Sequence, residues 1–351
     1  MPRRLATPTD TDQRPRRLGR VLLRTAIVVL SLLVIAGIGA ALWVLDHTRL
    51  RHDHFEARHG VLVDAAVGEL QREGEGYYSQ AVSLEADTGL AVDLRVLRPY
   101  GDEPRPLMVV LGGHRTGQDA VQLIGDPDDV VVAALDYPYH GTDSMRTIPA
   151  IIRGVSAIQR GLLDTPPAVS QALDWLIEQP WVDADRVELV GVSLGTPFVA
   201  VAGALDERFR RVWVIHGGAG NAGWIEHNID RRVGAGWMQR PLAHLAHTLA
   251  YGASFDTEWW VSRIAPRELV VIGATDDERL PAHKVKRLYH AAGQPRELIW
   301  TEGQHVDPRR PDIVQDLLAI VRKRMDEGVD GPAPTDVASP GLNPVESSRL
   351  R

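Results

Sequence analysis

The chain contains no cysteine among its 351 residues, and only 6% of them are aromatic. The absence of thiols excludes disulfide bonds, zinc–thiolate sites and a cysteine nucleophile. A basic excess is also missing, because 39 Lys and Arg residues stand against 46 Asp and Glu residues. Nucleic-acid-binding domains normally carry such an excess, so we expect no nucleic-acid partner. With 44% hydrophobic and 24% charged residues, the composition predicts a large folded core.

One long apolar run stands near the N-terminus, where Thr25–Leu45 carries no charge. Its length matches the roughly 20 residues with which a helix crosses a bilayer core. Arginines precede it at Arg14, Arg16, Arg17, Arg20 and Arg24. Positive charge on this side predicts a cytoplasmic N-terminus and an extracytoplasmic remainder. We expect an uncleaved single-pass anchor in the cell membrane; a signal peptide cleaved near the small residues Ala36–Ala41 is the alternative.

Composition divides the chain into five segments. We expect a basic cytoplasmic N-terminus, a transmembrane signal anchor, a juxtamembrane linker, one folded domain and a disordered tail, at residues 1–24, 25–45, 46–76, 77–326 and 327–351. The tail is rich in Pro, Ser, Asp and Gly, which is typical of disordered chains. Within the folded domain, residues 221–262 contain four tryptophans and no clear strand, so we expect a helical cap there.

Short apolar runs alternate with amphipathic stretches through the folded domain. The runs are Leu107–Leu111, Val130–Leu135, Val187–Val190, Val212–Ile215, Leu269–Ile272 and Leu298–Trp300. The helical candidates are Ala168–Gln179, His283–Ala292 and Asp312–Met325. Continuous hydrophobicity is typical of parallel strands that are covered on both faces, so the pattern predicts a mostly parallel, doubly wound α/β sheet. Ahead of it, Tyr77–Glu85 and Leu90–Arg98 predict an antiparallel hairpin at the sheet edge.

A candidate nucleophile follows one of these strands. The pentapeptide Gly191–Gly195 reads GVSLG, with Ser193 at its centre, between the run Val187–Val190 and an apolar segment. A serine on a sharp strand-to-helix turn projects its hydroxyl above the sheet, and flanking glycines relieve the crowding. The alternative is an ordinary turn serine. The alternating α/β context favours the nucleophile.

A serine nucleophile needs a base and a carboxylate that orients the base. Asp276 and Asp277 follow the strand Leu269–Ile272, and His305 follows the next strand. Both positions are carboxyl ends of strands, where an open α/β sheet gathers its site. Because adjacent side chains point in different directions, only one of the two aspartates can face His305.

These motifs, in this order, resemble those of the α/β-hydrolase superfamily over about Tyr77 to Met325. In that family the acid commonly precedes a proline by four positions, which selects Asp277 before Pro281 and leaves Asp276 as the alternative. The loop GGHRTG after Leu107–Leu111 resembles the family's His-Gly-x loop, with a glycine replacing the usual histidine. The resemblance implies that the backbone N–H groups of His114 and Leu194 stabilise the oxyanion.

The resemblance implies a serine hydrolase, similar to esterases, lipases and the catalytic domains of dienelactone hydrolases and prolyl oligopeptidases, and the apolar run Thr25–Leu45 would anchor it in the membrane. Ser193, His305 and Asp277 would cleave a carboxylic ester of a small molecule or a lipid through an acyl-enzyme. No cofactor and no metal ion are expected. The alternatives are a peptidase or an acyltransferase that uses the same triad, and a catalytically silent hydrolase fold that acts as a binding module.

Overall fold

The computed structural model describes residues 14–113, 116–139, 147–230, 234 and 236–327. The chain divides into two units, residues 1–49 and 50–351. In the first unit, helix α1 (Arg14–Thr48) includes Leu22–Thr48, which is long and apolar enough to cross a membrane. A signal sequence has the same properties, so α1 is a candidate span. The predicted disordered tail falls almost entirely beyond the described residues.

The second unit is built on one ten-stranded sheet with the order β1-β3-β4-β6-β5-β7-β8-β9-β10, in which β2 pairs with β3. The strands are β1 (Leu62–Val67), β2 (Gln71–Glu73), β3 (Tyr77–Ala86), β4 (Ala91–Pro99), β5 (Arg105–Leu111), β6 (Val131–Leu135), β7 (Val182–Val192), β8 (Arg211–Ile215), β9 (Glu268–Ala274) and β10 (Arg296–Thr301). The helices are α2 (His52–His59), α3 (Ala120–Ile124), α4 (Ile148–Ile177), α5 (Thr196–Leu205), α6 (Asn221–Asp230), α7 (Gly236–Leu249), α8 (Thr257–Val261), α9 (Ala282–Ala291) and α10 (Pro311–Glu327).

Strands β5 to β10 run parallel to one another, and β4 joins them antiparallel to β6. The apolar runs of β5 to β9 are buried because helices cover both faces of the sheet, whereas β10 at the edge is half-buried. Helices α4, α5 and α9 contribute to the core on one face, and α3 and α10 contribute to the core on the other. The predicted mostly parallel, doubly wound sheet is therefore confirmed.

The strand order reverses at β5. This strand lies between β6 and β7. The chain continues from β5 to β6 on one side, and then crosses to β7 on the other side. Loops that leave such a point diverge and open a crevice at the carboxyl ends of the strands. The loop after β5 and the turn after β7 therefore flank the same crevice.

The N-terminal part of the second unit differs from the prediction. The expected hairpin forms as β3 and β4, but β1 pairs with β3 on the outside and takes the edge position. Residues 46–76 were expected to be a linker; instead they contain α2, β1 and β2. Helix α2 contacts α4 through His54 with Asp164 (3.0 Å) and His59 with Asp174 (2.8 Å).

Phe55 explains why α2 is held against the domain. Its side chain is 2% exposed and belongs to the core, with its ring centroid 5.6 Å from that of Phe255 and 6.0 Å from that of Trp260. A phenylalanine among charged residues was the one signal in the sequence that this segment packs rather than links.

We expect Phe55→Ala to lower the free energy of unfolding by about 3–5 kcal/mol, because it removes a buried ring and leaves a cavity. Urea unfolding of the detergent-solubilised full chain measures the change. Glu56→Ala, on the exposed side of α2, is the matched control and should stay within about 0.5 kcal/mol of wild type. Equal effects of the two substitutions would show that α2 is not part of the core.

Helix α4 begins well before the predicted Ala168. Pro166 and Pro167 stand just before that predicted start, and proline inside a helix removes a backbone hydrogen bond. In the structure both prolines lie inside α4, and the hydroxyl of Thr165 donates a hydrogen bond to the carbonyl oxygen of Gly161 at 2.6 Å. The prolines remove the backbone donors to the carbonyl groups of Leu162 and Leu163, whereas this bond adds a side-chain contact in the turn just before them.

The segment 221–262 is helical where the structure describes it. It contains α6, α7, a 3₁₀ turn at Gly252–Phe255 and α8. Helix α6 approaches the loop after β9, since Asn228 Nδ2 donates to the carbonyl oxygen of Arg279 at 3.4 Å. Its helical content agrees with the expectation, and its role as a cap stays a prediction.

Candidate active site

Ser193 begins a 3₁₀ turn that connects β7 to α5. Its φ of 52° is left-handed, a conformation that is uncommon outside glycine. The flanking glycines permit this tight turn: a Cβ atom at Gly191 would collide with the side chain of Val199, and one at Gly195 would collide with the carbonyl oxygen of Leu111. The sequence GVSLG therefore folds into a turn that exposes the hydroxyl at the carboxyl end of β7.

A chain of hydrogen bonds connects three of the predicted residues. Ser193 Oγ lies 2.8 Å from His305 Nε2, and His305 Nδ1 lies 2.7 Å from Asp277 Oδ2. The side chains of His305 and Asp277 are buried. Because a carboxylate only accepts, Nδ1 carries the proton in this arrangement and Nε2 accepts from the hydroxyl. The imidazole is thus oriented to take the proton of Ser193.

The two adjacent aspartates have different surroundings. Asp277 turns towards His305, and its Oδ1 accepts the backbone N–H groups of Arg279 and Leu280, each at 2.8 Å. Asp276 is exposed and contacts the hydroxyl of Thr275 at 3.4 Å. Burial alone would raise the pKa of Asp277, but the hydrogen bond and positive charge of His305 hold that pKa below its ordinary value. Asp277 is therefore suited to remain ionised beside the imidazole.

The loop that carries His305 is held by a charged pair that the sequence analysis did not identify. The backbone N–H of His305 donates to Glu278 Oε2 at 2.9 Å, and its carbonyl oxygen accepts from Arg310 at 2.7 Å. Arg310 also contacts Glu278 at 3.3 Å. Burial would raise the pKa of Glu278, but these partners keep it below its ordinary value. The carboxylate thus stays charged and fixes the main chain at His305.

The structure describes one of the two residues whose backbone N–H groups are the predicted oxyanion donors. Leu194 follows Ser193 directly, whereas His114 lies outside the described residues. The loop that leads to it passes close to the nucleophile, because a Cβ atom at Gly113 would lie 3.6 Å from Ser193 Cβ. Thr116 Oγ1 donates to the carbonyl oxygen of Gly113 at 2.8 Å and anchors that loop. The position of the second donor stays a prediction.

His216 is a second buried histidine that no motif indicated. It follows β8 directly, its side chain is fully buried, and its ring centroid lies 5.3 Å from that of His305. Its Nδ1 accepts the backbone N–H of Val306 at 2.8 Å and lies 3.9 Å from Asp277 Oδ2. Burial, and then the positive charge of His305, lower the pKa of His216 to about 4. A neutral imidazole therefore supports the residue after His305.

His216, Asp277 and His305 also form the one group, within the described part of the chain, whose donor atoms could hold a metal ion, since these atoms lie within 4.8 Å of one another. Two of these atoms are already engaged, Asp277 Oδ2 with His305 and His216 Nδ1 with the N–H of Val306. The arrangement suits proton transfer better than metal binding. The expectation of no metal ion and no cofactor stays a prediction.

The burial of His216 predicts a loss of stability in acid. Its pKa in the folded chain, about 4, lies below the 6.5 of an unperturbed histidine. The unfolded chain therefore takes up the proton first, so the stabilisation is complete above about pH 6.5 and is lost as the pH falls towards 4. The lowered pKa of His216 corresponds to a contribution of about 3 kcal/mol to the free energy of unfolding. Between pH 7.5 and 4.5, we expect the free energy of unfolding of wild type to fall by about 2–3 kcal/mol more than that of His216→Asn.

Urea unfolding at the two pH values measures this difference. His283→Asn, which replaces an exposed histidine, is the control and should keep the pH dependence of wild type. Parallel pH dependence of wild type and His216→Asn would contradict the prediction.

Neither a family model nor a curated protein sequence matches the chain. Its fold is similar to acetyl xylan esterase 1 from Thermoanaerobacterium sp. JW/SL YS485, with a TM-score of 0.56, 16% identity, and coverage of 78% of this chain and 92% of that one. An acetyl xylan esterase from Paenibacillus sp. R4 matches with a TM-score of 0.56, 18% identity and the same coverage. Methylesterase BT1017 matches with a TM-score of 0.54 and 17% identity over 81% of this chain and 63% of that one. At these identities the likeness concerns the fold, and the chain has the α/β-hydrolase fold that its motifs resemble.

Proposed function

We propose that the protein is a serine hydrolase that cleaves a carboxylic ester. The proposal rests on the hydrogen-bonded chain from Ser193 Oγ through His305 to Asp277, with distances of 2.8 and 2.7 Å. In this geometry the hydroxyl, the base and the orienting carboxylate are all within hydrogen-bond reach, as nucleophilic catalysis requires. The similar folds named above are esterases, which agrees with a carboxylic ester as the substrate.

The mechanism follows from these positions. Ser193 Oγ attacks the ester carbonyl carbon while His305 Nε2 takes the hydroxyl proton, and Asp277 stabilises the imidazolium that forms. The backbone N–H of Leu194, with that of His114 as the expected second donor, stabilises the negative oxygen. When the C–O bond breaks, His305 returns the proton to the leaving alcohol. Water then attacks the acyl-enzyme with the same base and releases the carboxylic acid.

A neutral His216 suits this cycle. His305 becomes positively charged at each attack, and a second charge 5.3 Å away would oppose that step. Because the pKa of His216 is lowered to about 4, its ring stays uncharged at neutral pH. The negative charge of Asp277 therefore acts on His305 without competition from a neighbouring imidazolium.

We also propose that α1 anchors the chain in the cell membrane, with its N-terminus in the cytoplasm and the hydrolase domain outside. The apolar stretch Leu22–Thr48 and the arginines before it support this orientation. Protease added to intact cells tests it: we expect degradation of the hydrolase domain and retention of an N-terminal tag inside. Protection of the domain in intact cells would contradict the orientation.

Turnover of p-nitrophenyl butanoate by the detergent-solubilised full chain tests the reaction class, with the corresponding p-nitroanilide as the comparison. We expect the ester to be cleaved faster than the anilide, because an alkoxide or phenolate leaves more readily than an amine. Faster cleavage of the anilide would favour a peptidase. Absence of both activities in a folded protein would favour a silent binding module.

A further inference from the structure

Three charged side chains border the open crevice at the nucleophile. Arg279, Asp307 and Arg309 line this crevice together with Ser193 and Leu194, and within the described part of the chain they are the charged residues of its lining. The side chains of Arg279 and Arg309 are 35% and 86% exposed, so both guanidinium groups reach solvent. A substrate of Ser193 therefore binds beside charged groups.

Two guanidinium groups share one carboxylate in this cluster. Asp307 accepts hydrogen bonds from Arg309 Nε and Nη2 at 3.0 and 3.1 Å and from Arg279 Nη2 at 2.9 Å. The hydrogen bonds of Arg309, and with them that of Arg279, hold the pKa of Asp307 well below its ordinary value. The carboxylate is therefore ionised at neutral pH, and the cluster carries one positive charge in excess. Each guanidinium group has five N–H donors, so donors remain on both for a ligand.

The other acidic side chains of these two loops do not cancel that excess within the crevice. Glu278 lies 3.6 Å from Arg279, but it also pairs with Arg310 at 3.3 Å. Asp276 is exposed and does not line the crevice. Asp277 is buried on the Nδ1 side of the triad imidazole, which separates it from Ser193. The guanidinium groups, in contrast, stand where a substrate can contact them.

The position of the cluster indicates which part of an ester it meets. Asp307 and Arg309 follow His305 by two and four residues in the same loop, and Arg279 is tied to them through Asp307. In the proposed mechanism His305 returns its proton to the oxygen of the leaving alcohol, so the alcohol part lies on the side of this loop. The carbonyl oxygen is held at the N–H of Leu194 instead.

We propose that Arg279 and Arg309 bind an anionic group on the alcohol part of the substrate, so that the enzyme prefers esters of negatively charged alcohols. The inference rests on the proposed function. Guanidinium groups bind carboxylate and phosphate through paired, charge-assisted hydrogen bonds. Even in water, a unit charge about 4 Å away attracts an anion by a factor of about five. The preference should therefore be measurable although the crevice is open.

Hydrolysis of p-acetoxybenzoate and p-acetoxybenzamide by the detergent-solubilised full chain tests the preference. The two acetate esters have nearly the same shape and differ in the charge of the alcohol part. After correction for their rates with hydroxide, we expect kcat/KM to be at least about fivefold higher for the benzoate at about 0.01 M ionic strength. The difference should shrink in about 1 M salt, where charges are screened beyond about 3 Å. Equal values at low salt, or a preference for the benzamide, would overturn the inference.

Two further comparisons locate the charge and identify its type. The p-nitrophenyl monoesters of adipic acid and of adipamic acid place the same charge difference on the acyl side, where we expect no comparable preference. A preference confined to the acyl-side anion would overturn the inference. p-Acetoxyphenyl phosphate should be preferred over p-acetoxybenzamide as well, and the stronger of the phosphate and carboxylate preferences identifies the anion that fits better.

Arg309→Gln leaves Arg279 and Asp307 as a balanced pair, so the ratio of kcat/KM for the benzoate to that for the benzamide should fall to about one. Arg309→Lys keeps the charge and should keep most of the preference. Arg287→Gln removes an exposed guanidinium group of α9 that does not line the crevice, and this control should keep the wild-type ratio. Equal ratios for Arg309→Gln and Arg287→Gln would overturn the inference.

Calorimetric titration of Ser193→Ala with the same two esters separates this inference from the proposed function. Binding of p-acetoxybenzoate that is at least about fivefold tighter than that of the benzamide, and that loses this advantage on addition of Arg309→Gln, supports the cluster even if no ester is cleaved. A chain that hydrolyses both esters equally well through Ser193 and binds them equally keeps the proposed function and loses the inference about charge.

Discussion

Ser193→Ala is expected to lower kcat for ester hydrolysis by about 10⁶-fold, and His305→Ala by a similar factor. Each change removes the same step, because Ser193 Oγ and His305 Nε2 lie 2.8 Å apart and share one proton. A hydroxyl without a base and a base without a nucleophile are equally ineffective. The double variant should therefore lose little more than either single variant.

Initial rates at saturating p-nitrophenyl ester measure these losses. Ser262→Ala, which replaces an exposed serine, is the matched control and should keep wild-type kcat. Unchanged thermal unfolding of each variant shows that the loss is chemical. Losses that multiply in the double variant would mean that the two residues act independently, contrary to the proposed mechanism.

Asp277→Asn should lower kcat by about 10⁴-fold, the second-largest effect that we expect. The carboxylate accepts a hydrogen bond from the Nδ1–H group of His305 at 2.7 Å and stabilises the imidazolium. An amide at this position can donate a hydrogen bond to Nδ1 instead. The imidazole then carries its proton on Nε2, and Nε2 cannot accept the proton of Ser193. The substitution keeps an oxygen that can accept the N–H groups of Arg279 and Leu280, so the turn should persist.

Asp276→Asn supplies an internal control one residue away. Its carboxylate is exposed, so we expect kcat to stay within about twofold of wild type. The ratio of the two losses discriminates between the two aspartates that the sequence left as candidates. A large loss in Asp276→Asn with a small one in Asp277→Asn would reverse the assignment.

The central strands could be predicted because both of their faces are buried. Runs such as Val187–Val190 and Leu269–Ile272 are continuously apolar for that reason, and they lie within β7 and β9. Edge elements lack this signal. Strand β1 reads LVDAAV, but most of its side chains are exposed, so its apolar residues do not mark a buried face. Helix α2 is attached to the core through the single buried side chain of Phe55.

Part of the candidate site could be predicted because the chemistry fixes the order and position of its residues. Ser193, Asp277 and His305 each follow a strand of the parallel sheet, and the sheet brings those strand ends together. His216 occupies the same kind of position after β8, but no known motif requires it.

Labelling with a fluorophosphonate probe tests most directly whether Ser193 is an activated nucleophile. The probe forms a covalent bond with a serine only where a base withdraws its proton, and intact-mass and peptide analysis locate the adduct. We predict one adduct per chain, on Ser193, and none in Ser193→Ala or His305→Ala. A folded wild-type chain that resists the probe, or that is labelled at another residue, would contradict the proposed serine-hydrolase mechanism.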